Sequence, residues 1–111
     1  MPLNGECELE VYRHTVHRSP GGKTIRVCIS TAGGRISRVV FTGDFFAEPP
    51  ESLTELGESL RGLKLEDEEA VAEVISKFFS RGQIWLLGVT PADFKEAVIK
   101  GLRSLRATLK H

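Results

Sequence analysis

The stretch from Ser19 to Phe46, SPGGKTIRVCISTAGGRISRVVFTGDFF, constrains this chain more than any other. Thr24–Ser30 and Arg35–Thr42 are β-branched, alternating runs separated by Thr31-Ala32-Gly33-Gly34. Two such runs around a glycine turn predict a β-hairpin. In the first run Ile25, Val27 and Ile29 share a face. In the second, Ile36, Arg38 and Val40 alternate with Ser37, Val39 and Phe41, so the pattern leaves its buried face open. Two unusual groupings flank the hairpin: Pro20-Gly21-Gly22-Lys23 before it and Gly43-Asp44-Phe45-Phe46 after it. An antiparallel pair returns the chain to where it started, so these groupings should lie side by side, and a binding site is expected at that shared end.

The flanking sequence supplies the other layer. Between Gly5 and Val16, Cys7, Leu9 and Val11 alternate with Glu6, Glu8 and Glu10, predicting another strand with one buried and one wet face. After Glu48-Pro49-Pro50-Glu51 the periodicity changes to helical. Pro50–Arg61 carries Leu53, Leu56 and Leu60 on one stripe and stops near Gly62. Gly57 within it costs roughly 1 kcal/mol relative to Ala, which marks a short packed helix. A second helix opens in the acids Glu66–Glu69, presents Val71, Val74, Ile75, Phe78 and Phe79, and stops at Gly82. Ile84–Leu87 is a short apolar run, read as a fourth strand or a buried connector. Thr90-Pro91-Ala92-Asp93 has an N-cap, a first-turn proline and a carboxylate at the third position, and so starts a third helix. Phe94, Ala97, Val98, Leu102, Leu105 and Leu109 form its apolar face, and Lys100, Arg103, Arg106 and Lys110 lie where cations favour the helix dipole. The fold class is therefore α+β: a small antiparallel sheet of three to four strands, covered on one face by about three helices, in a single domain over residues 1–111.

Charge narrows the function classes. Lys plus Arg and Asp plus Glu are both 15, and the halves balance as well, with six basic and five acidic residues through Pro50 and nine and ten after it. No one-signed field exists to draw in nucleic acid. No apolar run approaches the ~20 residues that span a bilayer, and Met1-Pro2-Leu3-Asn4 does not open a signal peptide. The chain reads as cytoplasmic, so Cys7 and Cys28 are expected as buried thiols and not a disulfide.

Familiar chemical motifs fail one by one. Gly22-Lys23-Thr24 echoes the end of a phosphate-binding loop, but the pattern needs glycine where His17 stands, and strand follows it instead of helix. Cys7, His14, His17 and Cys28 do not have the spacing of a structural zinc site, and no metal is expected. No Ser-His-Asp order, carboxylate pair or nucleophile elbow is present, so no catalytic residue is assigned. Adjacent Phe45 and Phe46 cannot both face the core by alternation, which points one of them at a surface. Trp85, the only tryptophan, is expected in the core or at an interface.

The motifs also carry a family resemblance. Pro20-Gly21-Gly22-Lys23, the strand beginning Ile25-Arg26-Val27, the glycine hairpin turn and Gly43-Asp44-Phe45-Phe46 before a Leu-rich helix resemble the accessory C-terminal domain of lipoate-protein ligases. The likeness continues through Leu60-Arg61-Gly62 and Gly88-Val89-Thr90 and spans about residues 12 to 105. In that family a large catalytic domain binds lipoate and ATP with Mg, forms lipoyl-AMP and transfers the lipoyl group to a lysine of an acceptor domain. With nothing before Met1 to be that domain, the chain resembles the separately encoded small subunit. The resemblance implies a heterodimer with the large subunit, an indirect relation to lipoyl acceptor domains, and no cofactor held by this chain alone. Gly21, Gly22 and Lys23 match the family's turn and are placed near the nucleotide or carboxylate side of the partner's site. Gly43, Asp44, Phe45 and Phe46 match the second element and are assigned to the partner interface. The rival expectations are a generic interaction domain without a lipoate role and, more remotely, a small enzyme with a cysteine nucleophile, which a thiol-alkylation assay would expose.

Overall fold

Gly33 and Gly34, with φ of 61° and 78°, make the two-residue turn that the hairpin requires. In the computed structural model, which describes residues 12–81 and 83–109, they join β2 (Thr24–Ala32) to β3 (Arg35–Gly43). β1 (Tyr12–Arg18) lies antiparallel on the other side of β2, giving the order β1-β2-β3. The sequence pattern before Tyr12, with Cys7, lies outside the described residues, as do Gly82, Lys110 and the side chains of His14 and Leu109.

The register explains why the buried face of β3 was ambiguous. Ser30 pairs with Arg38 but Thr31 pairs with Ile36, so Ser37 is an extra residue in β3. Such a bulge shifts the alternation by one. Ile36 is buried on one side of it, and Val39 and Phe41 are buried on the other. Ser37 is held by a 2.7 Å hydrogen bond between its hydroxyl and that of Ser30.

After β3 come β4 (Phe46–Glu48), α1 (Ser52–Ser59), α2 (Glu68–Ser80), β5 (Trp85–Leu87) and α3 (Pro91–Leu109). Of the two readings of Ile84–Leu87, a fourth strand or a buried connector, the strand is found, yet it does not extend the hairpin sheet. β5 pairs with β4 in a separate antiparallel ribbon, Phe46 opposite Leu87, Ala47 opposite Leu86 and Glu48 opposite Trp85. The three helices cover one face of the main sheet, α3 against β1 and β2 and α1 against β3, while α2 packs on α3. Ile25, Val27 and Ile29 of β2 meet Leu56 and Leu60 beside α1's end, Val71 and Ile75 of α2, and Phe94, Val98 and Leu102 of α3. These side chains are essentially inaccessible to water, and burial of this kind is the main stabilising term of the domain. Phe94 is the hub, with the rings of Phe41, Phe45 and Phe79 at 5.5, 5.3 and 5.4 Å.

Two expectations are corrected. Cys28 is buried as predicted but is disulfide-bonded, so it offers no thiol. The expectation rested on compartment, which sets a prior and contains no geometry. The basic residues of α3 do more than complement a dipole. Arg103 and Arg106 clasp Glu68 at the start of α2 at 2.9 and 2.6 Å, Arg106 also donates to the Leu65 carbonyl, and Lys100 donates to the Val16 carbonyl. They tie α3 to α2 and to β1.

Candidate functional site

The shared end of the hairpin begins where β1 stops. Pro20 cannot extend the strand with a ladder donor, and the chain folds into a turn closed by Ser19 N–H to Lys23 O (2.7 Å) and Gly22 N–H to Ser19 O (2.9 Å). Ser19, though polar, is buried. Its hydroxyl accepts from Lys23 N–H (3.2 Å) and donates to the Gly88 carbonyl (3.0 Å). One oxygen thus joins the Gly-Gly-Lys turn to the loop before α3. The Lys23 stem lies on Gly88: a Cβ there would come within 2.6 Å of Lys23 Cγ, and Gly88 has φ of 93°, which L side chains rarely adopt. Lys23 itself is exposed, as are Gly21, Gly22 and Arg18.

Across the hairpin, Asp44 accepts a 2.6 Å hydrogen bond from Thr24 N–H. That bond holds its carboxyl below the usual carboxylate range, assisted by Lys23 and Arg18 and opposed by a desolvation contribution. Asp44 therefore stays ionised beside two cations. Gly43 has no room for a Cβ, which would strike the Thr24 carbonyl and the Phe45 ring. Phe45 turns inward and packs edge-on against Phe94. Phe46 turns outward and is 57% exposed.

From Phe46 the corner continues into the ribbon. Ala47 and Leu86 are half-buried on its inner face, and Leu86 packs on the core. Trp85 and Leu87, 77% and 70% exposed, share the outer face with Phe46 and Glu48. The hairpin brings Gly21, Gly22 and Lys23 to the same end as Gly43 and Asp44, as its antiparallel course requires. Ser19, Gly88 and Leu87 were not singled out for this corner by the sequence, where Leu87 belongs only to the short apolar run next to Gly88-Val89-Thr90. Trp85, expected in the core or at an interface, is on the surface.

The start of α3 closes the corner from behind. Asp93 Oδ2 accepts from Thr90 N–H (2.9 Å) and the Thr90 hydroxyl (3.1 Å), the capping arrangement that the sequence predicts. Its Oδ1 pairs with buried His17 Nε2 at 3.1 Å, and Glu96 Oε2 lies 3.7 Å from the same nitrogen. Burial pushes Asp93 up, but the bonds from the Thr90 backbone, His17 and the Thr90 hydroxyl outweigh it, and its pKa is lowered. His17, Asp93 and Glu96 could supply three ligand atoms to a metal ion. Both oxygens of Asp93 are already engaged, and Lys95, Lys100 and Arg103 line the adjoining groove with His17 and Glu96, so the trio serves as a structural pair with an exposed neighbour. No nucleophile is presented to His17 by the nearby hydroxyls, because Ser19 donates to Gly88 and Thr90 to Asp93.

What the corner offers is a fixed turn with exposed cations and an apolar ribbon beside it, on a two-layer α+β domain. The chain belongs to the family described as the bacterial lipoate protein ligase C-terminus, whose model matches residues 10–98. It is 36% identical over 74 residues to lipoate-protein ligase A subunit 2 of Thermoplasma acidophilum, a match covering 67% of this chain and 74% of that one. It also superposes, with a TM-score of 0.68 and 29% identity over 81% of its length and 97% of the other chain, on a chain from a structural analysis of an archaeal lipoylation system. That work concerns a bi-partite lipoate protein ligase and its E2 lipoyl domain from Thermoplasma acidophilum. The α+β fold and the kinship to a ligase subunit are as the residues suggested. No helix among the described residues is long and apolar enough to cross a membrane.

Proposed function

We propose that this chain is the non-catalytic small subunit of a two-chain lipoate-protein ligase. In this reading it works with the large catalytic subunit in the ATP-dependent formation of lipoyl-AMP, before transfer to a lysine of an acceptor domain in the cytoplasm. Kinship to a protein named as a ligase subunit supports the role. The observation that carries the mechanism is the locked corner of Lys23, Asp44 and Gly88.

The residues present do not form a nucleotide cradle of their own. The amides of Gly22 and Lys23, which a phosphate would need, are used within the turn by Ser19. Lipoate, ATP and Mg are therefore assigned to the large subunit. Lys23 contributes a cation, carried on a hydrogen-bonded turn with its stem against Gly88, at the border of that site, and Asp44 keeps the turn's position through Thr24. A positive charge held without reorganisation stabilises the charge that develops when a carboxylate is adenylated, and a second domain that encloses the site excludes water from the acyl-adenylate.

The test is lipoyl-AMP formation by a large subunit with and without this chain, and with its Lys23→Ala variant. Activity that requires mixing, and falls about tenfold or more with Lys23→Ala while the far-UV spectrum stays unchanged, is expected. Equal adenylation by the large subunit alone would overturn the reading. Full activity of Lys23→Ala would overturn the assignment of that lysine.

A further inference from the structure

We infer that the outer face of the β4–β5 ribbon, with Trp85 as its anchor, is the surface on which the large catalytic subunit of the ligase docks; this rests on the reading above. Phe46, Trp85 and Leu87 are 57%, 77% and 70% exposed although all three are large apolar side chains. They come from segments about 40 residues apart and are brought onto one face only by the pairing of Phe46 with Leu87 and Glu48 with Trp85. The inner face of the same ribbon, through Leu86, is packed on the core. The outer face is thus held rigidly outward, and the exposure does not come from a loose loop.

Area argues for a macromolecular occupant. Aromatic side chains bring on the order of 150–250 Å² each, so the exposed parts of these three residues amount to roughly 400–450 Å². That is the size of the largest apolar patch on a typical monomer, which is often functional, and about half of the ~800 Å² per partner that a stable heterodimer buries. Tryptophan centred among such neighbours is also the residue type most enriched at energetic hot spots.

Continuity supplies the remainder and selects the occupant. β4 begins two residues after Asp44, and β5 ends at the residue before Gly88, on which the Lys23 stem lies. A partner seated on the ribbon is therefore carried to the edge of the Lys23 corner, where the exposed Arg18 and Lys23 supply the polar rim of the interface. The same protein that receives Lys23 at its active-site border must cover Trp85. A second copy of this chain would gain the apolar contact but would have no use for the corner.

The experiment uses the only tryptophan of the chain. The intact chain is titrated with the large subunit while tryptophan emission is followed, with Trp85→Phe in parallel as the blank for the partner's own tryptophans. Affinity is measured for wild type, Trp85→Ala and Leu87→Ala, and lipoyl-AMP formation is assayed separately. A blue shift of Trp85 on binding is expected, with a Kd raised about 30-fold or more by Trp85→Ala and less by Leu87→Ala, at unchanged helical content. If both variants bind like wild type and the emission does not move, the inference is overturned while mixing-dependent adenylation would keep the functional reading. If Trp85→Ala alters only self-association of the isolated chain, the patch belongs to a second copy and the inference is again overturned. Docking through Trp85 without any effect on adenylation would support the inference and overturn the functional reading instead. A wild-type chain that does not bind the large subunit at all overturns both.

Discussion

Replacing Gly57 by Ala should destabilise the protein, although every helix-propensity scale says the reverse. In an exposed helix interior the change would gain about 1 kcal/mol. Here Gly57 is buried at the crossing of α1 over β3, and a Cβ built on it presses into the Val39 carbonyl oxygen, closer than the 3.0 Å that real Cβ atoms keep, with the Val39 carbonyl carbon at 3.4 Å. The obstacle is strand backbone and cannot rotate away. Val39 also sits just past the Ser37 bulge, in a strand paired on to Ile29. The helix must lift instead, loosening Leu56 and Leu60, which are fully buried. Overpacking of this kind costs about 1–3 kcal/mol. With a lifted helix that also exposes part of two leucines, the cost should exceed the propensity gain by about 1–2 kcal/mol. For a domain of this size that corresponds to a fall in Tm of roughly 4–12 °C. Urea denaturation followed by far-UV circular dichroism gives the free energy, and an unchanged slope would show that the denatured state is not the cause. A peptide of α1 alone should show the opposite sign. A Gly57→Ala protein as stable as wild type, or more so, would refute the reasoning.

Two further perturbations test the network around α3. Glu68 is pulled down to about 2 by its hydrogen bonds with Arg103 and then Arg106, from an ordinary value of 4.5. A depressed carboxylate contributes stability that is complete above about pH 4.5 and is lost as pH falls toward about 2. Glu68→Gln should therefore lower stability above about pH 4.5, where the clasp contributes in full, and converge on wild type as pH falls toward about 2, which flattens the acid limb; an unaltered acid limb would show that the clasp is not maintained in solution. Asp93→Ala removes the acceptor of both Thr90 donors and the 3.1 Å hydrogen-bond partner of buried His17, which then has only Glu96 at 3.7 Å, at a cost of about 1–3 kcal/mol. Thermal melting should fall accordingly, Asp93→Asn should recover part of the loss, and an unchanged melt would remove the cap from the account.

How much was legible follows the range of the signal. The Gly33-Gly34 turn and the Thr90–Asp93 cap are local, and a few consecutive residues determine each. The adjacency of Lys23 and Asp44 was legible at longer range, because an antiparallel hairpin imposes it through Thr24. The buried face of β3 was not, since Ser37 breaks the alternation in the middle of the strand. The ribbon was hidden for another reason: two strands of three residues are too short to show a period, and their pairing depends on α1 and α2 being folded between them. Phe45 and Phe46 were correctly read as pointing apart, but only the structure shows that Phe45 goes to Phe94. Arg103 and Arg106 looked like helix-end cations because their partner, Glu68, lies more than thirty residues away.

The hydroxyl of Ser19 has a consequence for anyone who would cut this protein down. Because it bonds both Lys23 N–H and the Gly88 carbonyl, the turn that carries the lysine is completed by a residue 65 positions further along the chain. A hairpin peptide spanning both motifs would contain every distinctive residue of the resemblance around residues 20–46 and still lack the shape of the corner. The transferable unit is set by topology and not by motif: it extends at least to the start of the last helix, and a graft onto another scaffold must bring both ends of that oxygen's reach.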